Sequence, residues 1–237
     1  MIAAGFALAG AALVILGIAL LRRTGDAWRV GRLIAAAPDA TIEEAAALAR
    51  AGTPRIVRLH GRVSSDEEFP DENDRPLVYR RARLAWVDGR GREHVADDDR
   101  LAVPFGIEEH GAFIAIDVTA LGDGLVVVPR VAEGAARELP EHVTADLAAG
   151  ALPADPSTLV RLRVEQLSAV EHATAIGVPR LGTGGEPELT AGLGRPLVVS
   201  PLDPDAAMRV LASGRRDRKS TRLNSSHVAL SRMPSSA

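Results

Sequence analysis

From Arg55 to Pro201 the apolar side chains fall on every second residue, and that period leaves little besides antiparallel sheet for the chain to fold into. "PRIVRLHGRV" sets Val57, Leu59 and Val63 on one face and Arg58 and Arg62 on the other, the alternation of a half-buried strand. The same reading makes strands of "LVYRRARLAWV", "LAVPFGIEE", "AFIAIDV" and "GLVVVP". After an acidic, proline-bearing connector from Glu138 to Ser157 it makes strands of "LVRLRVEQL", "EHATAIGVPRL" and "PLVVSP". "DGRGREHVADDD" and "LGDG" read as connections, "GTGGEPELTAGLG" as a hairpin loop, and Ser64 to Pro76 as an acidic, turn-rich loop. Many short strands between Gly and Pro turns predict a mainly β (α+β) chain whose antiparallel sheet closes into a small barrel or sandwich. One helix precedes it: Thr41 is placed to cap, Glu44 to complete a capping box, and Gly52 to stop it.

The amino-terminal segment follows a different rule. Ile2 to Leu21 holds no charged residue, and about 20 apolar residues are what a helix needs to cross the bilayer hydrocarbon. No Lys or Arg precedes this run, whereas Arg22, Arg23, Arg29 and Arg32 follow it, so the expected topology is an uncleaved signal anchor with the amino terminus outside and the domain cytoplasmic. Trp28 would suit the headgroup layer, and Gly5 and Ala9, four apart, would let two such helices meet in a homo-oligomer. The expected layout is an anchor over residues 1–22, a basic juxtamembrane segment with the short helix over 23–54, and a β domain over 55–201. Residues 202–213 read as the start of a truncated region and 214–237 as a disordered tail of separate origin.

Composition separates that tail from the body. After Gly214 there are six Lys or Arg against Asp217 alone, so within a total of −3 the preceding residues carry −8. The tail also holds Lys219, the only lysine, and six of the twelve serines, and "DRKSTRLNSSH" resembles a translated adapter sequence. An acidic body repels phosphate backbones, which argues against a nucleic-acid partner.

Motifs for chemistry are scarce. With no cysteine, disulfides, thiolate metal sites and cysteine nucleophiles are excluded. None of the six histidines (His60, His94, His110, His142, His172, His227) pairs with another at metal-ligand spacing, and His94, His110 and His142 fall in expected turns. "ADDDR", Ala96 to Arg100, lacks the ligand spacing of a calcium loop and reads as solvated loop. The glycine-rich "GTGGEPELTAGLG" has no Lys-Ser/Thr after it, so it is not expected to cradle phosphate. Adjacent Glu108 and Glu109 would point to opposite faces of a strand and could not work as an acid/base pair. No catalytic residue, cofactor or metal is expected, and the reading favours a module that binds a protein partner.

The order of pieces resembles the GIDE-domain family, whose eukaryotic mitochondrial members are E3 ubiquitin ligases. The resemblance rests on the apolar helix and the basic segment ending in "LIAAAP", on "LHGRV" with Gly61, and on "RPLVY" with Tyr79. It continues in "VPFGIEEHGAFIAID" with Pro104, Phe105, Glu108, Glu109 and Gly111, and in "HATAIGVP" with Gly177 and Pro179. It implies a β domain beside a membrane that organises a membrane complex. The ligase members owe activity to a zinc-binding RING rich in cysteine, which this cysteine-free chain cannot build, and Val78 stands where those members often carry cysteine. The alternative reading is a ligase-type member whose RING part is absent or lost by truncation.

Overall fold

The computed structural model describes residues 30–139, 150–153 and 155–217, with side chains as far as Ser213. The expected spanning helix, Trp28, His142, His227 and most of the tail lie outside the described residues. Among those described, no helix is long and apolar enough to cross a membrane.

Among the described residues the order begins with the helical residues 30–36 (α1) and α2 (Ile42–Arg50), then β1 (Val57–Ser64), β2 (Phe69–Pro70), β3 (Pro76–Val87), β4 (Glu93–Ala102), β5 (Gly106–Glu109) and β6 (Ala112–Ile116). A short helix α3 (Val118–Leu121) leads to β7 (Arg130–Ala135), a single 3-10 turn at Ala136–Glu138 and β8 (Leu159–Ser168). β9 (His172–Leu181), β10 (Pro187–Thr190), β11 (Val198–Ser200) and α4 (Pro204–Asp217) complete the described elements. Helix α2 forms as its sequence dictates: the Thr41 hydroxyl accepts from Glu44 N–H, the Glu44 carboxylate accepts from Thr41 N–H, and Gly52 turns out of the helix at φ +61°.

β1, β5, β6, β10 and β9 pair in that order, and β9 returns to β1, closing a five-stranded barrel with β11 added on β9. Every contact in it is antiparallel except β6 with β10. This connectivity is the Greek-key barrel of the OB class. β1 makes closure work by pairing β9 along Val57 to Arg62 and β5 along Arg62 to Ser64. The interior is built in cross-strand layers: Val63, Ile107 and Ile114 lie opposite one another on three strands and none is exposed. Ile42 and Ala45 of α2 join the same core and plug the barrel.

A second sheet grows from two insertions. The chain between β1 and β5 supplies β2, β3 and β4; the chain between β6 and β9 supplies β7 and β8. They assemble with β4 and β2 on one edge of β3, β8 on the other, and β7 outermost. Helices α1 and α4 pack over β9 and β11 around Val30, Leu33, Ile34, Ile176, Val198 and Ala207. The α4 backbone continues to Asp217, past the composition break at Gly214 where the tail was expected to be disordered.

Several local expectations change. "GLVVVP" forms no strand; only Leu125 bridges to Val199, and the strand comes next, at Arg130–Ala135. "ADDDR" is not a loop but the centre of β4, because its backbone pairs with β3 despite three side chains that disfavour strands. His94 therefore lies in a strand and stacks on Trp86 at 4.2 Å between ring centroids. "LAVPFGIEE" is two strands, interrupted at Val103 to Phe105, where Pro104 offers no N–H for a ladder. Phe69 and Pro70 of the expected acidic loop pair with β3.

Candidate functional site

The nine residues carrying the family resemblance do not converge. Gly61, Phe105, Tyr79 and Gly177 are packing positions: Phe105 and Tyr79 are buried, and a Cβ at Gly177 would meet Thr190 O at 2.7 Å and Leu197 Cδ1 at 2.8 Å. Burial pushes the Tyr79 hydroxyl above its ordinary pKa. Pro104 marks the break before β5, and Pro179 lies on β9 beyond Gly177, where pairing with β1 ends. Gly111 follows His110 in the β5–β6 hairpin; both have positive φ, +52° and +83°, as a type I′ turn requires. Glu109 is half-buried beside that turn, and Glu108 points outward between Arg62 and Phe113.

That outward row crosses three barrel strands. Phe113 is half exposed, and its ring lies over Gly106, filling the space a side chain there would take. An aromatic held flat on a sheet is a rigid contact surface whose flank is acidic at Glu108.

The larger constellation lies on one face of the second sheet. Cross-strand neighbours Arg100, Arg81 and Glu165 form one row and Asp98, Arg83 and Arg163 the next. Arg81, its side chain 7% exposed, donates two bonds to Asp98, Nε to Oδ1 at 2.6 Å and Nη2 to Oδ2 at 2.7 Å, and a third to Asp123. Arg83 Nη2 shares Asp98 Oδ2 at 3.0 Å, and Arg163 Nη2 lies 2.8 Å from Glu165. Farther along, Arg161 joins Glu133 at 2.6 Å and Glu93 at 2.7 Å. These bonds hold Asp98 well below the usual carboxylate range, Arg81 first among the causes, and hold Arg81 charged at any pH. Arg81, Arg83, Arg163 and Glu165 line a shallow depression here. Sequence reading missed this lattice because its members come from residues 81 to 165 and only the β3–β4 and β3–β8 registers align them.

Two smaller networks tie elements together. Asp39 accepts from Arg58 Nε at 2.5 Å and Nη2 at 3.0 Å and contacts His60 Nε2 at 3.3 Å, while His60 Nδ1 meets Thr174 Oγ1 at 3.0 Å. The group latches the end of α1 to the barrel beside a depression shared by Ile34, Arg58, Thr174 and Ala207. Asp117 caps α3 through Ala120 N–H and accepts from Thr119, from Thr190 at 2.7 Å and from Arg180 at 2.8 Å. Burial raises its pKa, but those hydrogen bonds and the Arg180 charge outweigh burial and bring it to about 2.

Among the described residues no three His, Asp or Glu side chains gather as a metal site. Compared with protein-family models, curated proteins and solved structures, the chain matches none.

Proposed function

We infer that this is a membrane-anchored, GIDE-like β domain, held on the cytoplasmic side by residues 2–21, that works by binding a partner protein. The observation that carries the reading is where recognition surface is available. The barrel interior is filled by Leu59, Val63, Ile107, Ile114 and Leu189, none of them exposed, so any ligand meets the outside. The outside presents a projecting second sheet with a lattice of arginines and carboxylates, a rigid aromatic at Phe113 and an exposed strand β4. Surfaces of this polar, aromatic-pointed kind suit protein contacts. The acidic flank of Phe113 and the acidic body speak against nucleic acid, despite the OB-class connectivity.

The path of the chain supports a place beside the membrane. From Leu21 the sequence reaches Val30, the first described residue, in nine residues, which is at most about 30 Å even if fully extended. A domain on so short a tether meets partners that are themselves at or near the membrane.

Photocrosslinking in intact cells tests this, with a benzoylphenylalanine placed in turn at Phe113, Val95 and Arg163 of the full chain. One discrete protein adduct from at least one position is expected. Uniform absence of adducts from all three sinks the binding reading. Protease added from the outer side should leave the domain intact; digestion there would reverse the topology.

A further inference from the structure

The fold brings two acidic stretches, Asp66–Glu68 and Asp97–Asp99, onto a single edge. β8 pairs β3 along one side, so β2 and β4 both lie on the other, β2 at Leu77 and β4 from Tyr79 onward. The acidic turn Asp66, Glu67 and Glu68 therefore runs into the end of the strand that carries Asp97, Asp98 and Asp99. Ser65 fixes the junction: its Oγ lies 2.6 Å from Glu67 O and from Pro104 O, just beyond β4.

Among the described residues β4 pairs with β3 alone, so its outer backbone edge is open along Glu93–Ala102. Nearly every side chain of the strand is exposed, and no proline interrupts it. Its carboxylates are unequally used. Asp98 is taken up by Arg81 and Arg83 on one face. On the opposite face Asp99 meets Arg80 at 3.3 Å and is half exposed, and Asp97 has no ion-pair partner among the described residues. An open edge lends its main chain to an added strand, and unneutralised carboxylates along it select the sign of that strand's charge.

We propose that the β4 edge, continued by Asp66, Glu67 and Glu68, takes an extended basic segment of a partner protein as an additional strand. This rests on the binding-module reading and names its site and ligand chemistry. Basic side chains on the added strand would neutralise Asp97 and Asp99 on one face and the acidic turn at one end, while its backbone pairs with β4. A second copy of this chain does not fit: two β4 strands paired antiparallel about their centres would set the aspartates of one against those of the other.

The test uses the full chain in nanodiscs of zwitterionic lipid and a labelled ten-residue peptide alternating Arg and Val, read by fluorescence anisotropy. Saturable binding is expected, with a loss of about tenfold when alternate peptide amides are N-methylated. Asp97→Asn with Asp99→Asn should weaken binding several-fold and flatten its salt dependence, and this pair perturbs only one exposed ion pair in the fold. Equal affinity for methylated and unmethylated peptides would mean charge alone and overturns strand addition. So does equal affinity for a Glu-Val peptide, or no binding at all. Self-association strengthened by the double Asn variant would put a second copy on the edge, and tighter binding after removal of residues 214–237 would put the chain's own basic tail there; either result overturns the proposal. Cellular crosslinks from Phe113 or Arg163 but none from Val95 would sink the edge while leaving the binding-module reading standing.

Discussion

Gly61 on β1 lies directly under the backbone of Glu108 on β5: a Cβ added to residue 61 would come within 2.5 Å of Glu108 O and 2.7 Å of Ile107 Cγ2. The obstacle is backbone in a closed barrel and cannot swing aside. Gly61→Ala should lower unfolding stability by about 1–3 kcal/mol. That outweighs the gain of about 0.5–1 kcal/mol from a stiffer unfolded chain. Denaturant unfolding followed by Trp86 fluorescence measures it, and a stabilised variant would show that the β1–β5 contact has room for a methyl group.

Arg81 and Asp123 form one ion pair but should not cost the same to remove. Arg81 is nearly buried and bonded to Asp98, whereas the Asp123 side chain is 80% exposed. Arg81→Ala, which removes a nearly buried side chain and leaves Asp98 with Arg83 as its remaining close partner, is expected to cost about 1–2 kcal/mol. Asp123→Ala should cost less than about 0.5 kcal/mol. Equal losses from the two would mean that Asp98 is not the anchor of the lattice.

Asp117 makes stability depend on acid. Its folded pKa of about 2 lies below the ordinary carboxylate value of about 3.9. A depressed folded pKa adds stability that is present above the unfolded value and is lost as pH falls from about 4 through 2. The contribution at neutral pH is on the order of 2 kcal/mol. Asp117→Asn should lower stability at pH 7 and flatten its decline between pH 4 and 2, read by denaturant midpoints at each pH. An unchanged slope would remove Asp117 from the acid response.

His110 stands with φ +52° where a type I′ hairpin prefers Asn or Gly. His110→Asn should therefore stabilise the β5–β6 hairpin by about 0.5 kcal/mol. Calorimetry should show a rise in Tm, and a fall would indicate that the imidazole makes a contact that holds the turn.

The sequence alone determined whatever depends on near neighbours. Thr41, Glu44 and Gly52 specify α2 because capping is settled within a few residues, and Val57, Leu59 and Val63 specify the buried face of β1 because alternation is a local property of extended backbone. Local signals misread "ADDDR" and "GLVVVP", since the first is held in a strand by the ladder from β3 and the second pairs with β11 only at the Leu125–Val199 bridge, too short a match to extend into a strand. Tertiary structure alone decided that the barrel closes through β1 and β9, that two insertions pool their strands into a second sheet, and that Arg81, Asp98 and Glu165 share one face of it. Those facts depend on the register between strands tens of residues apart, which is set by the whole core and not written in any one segment.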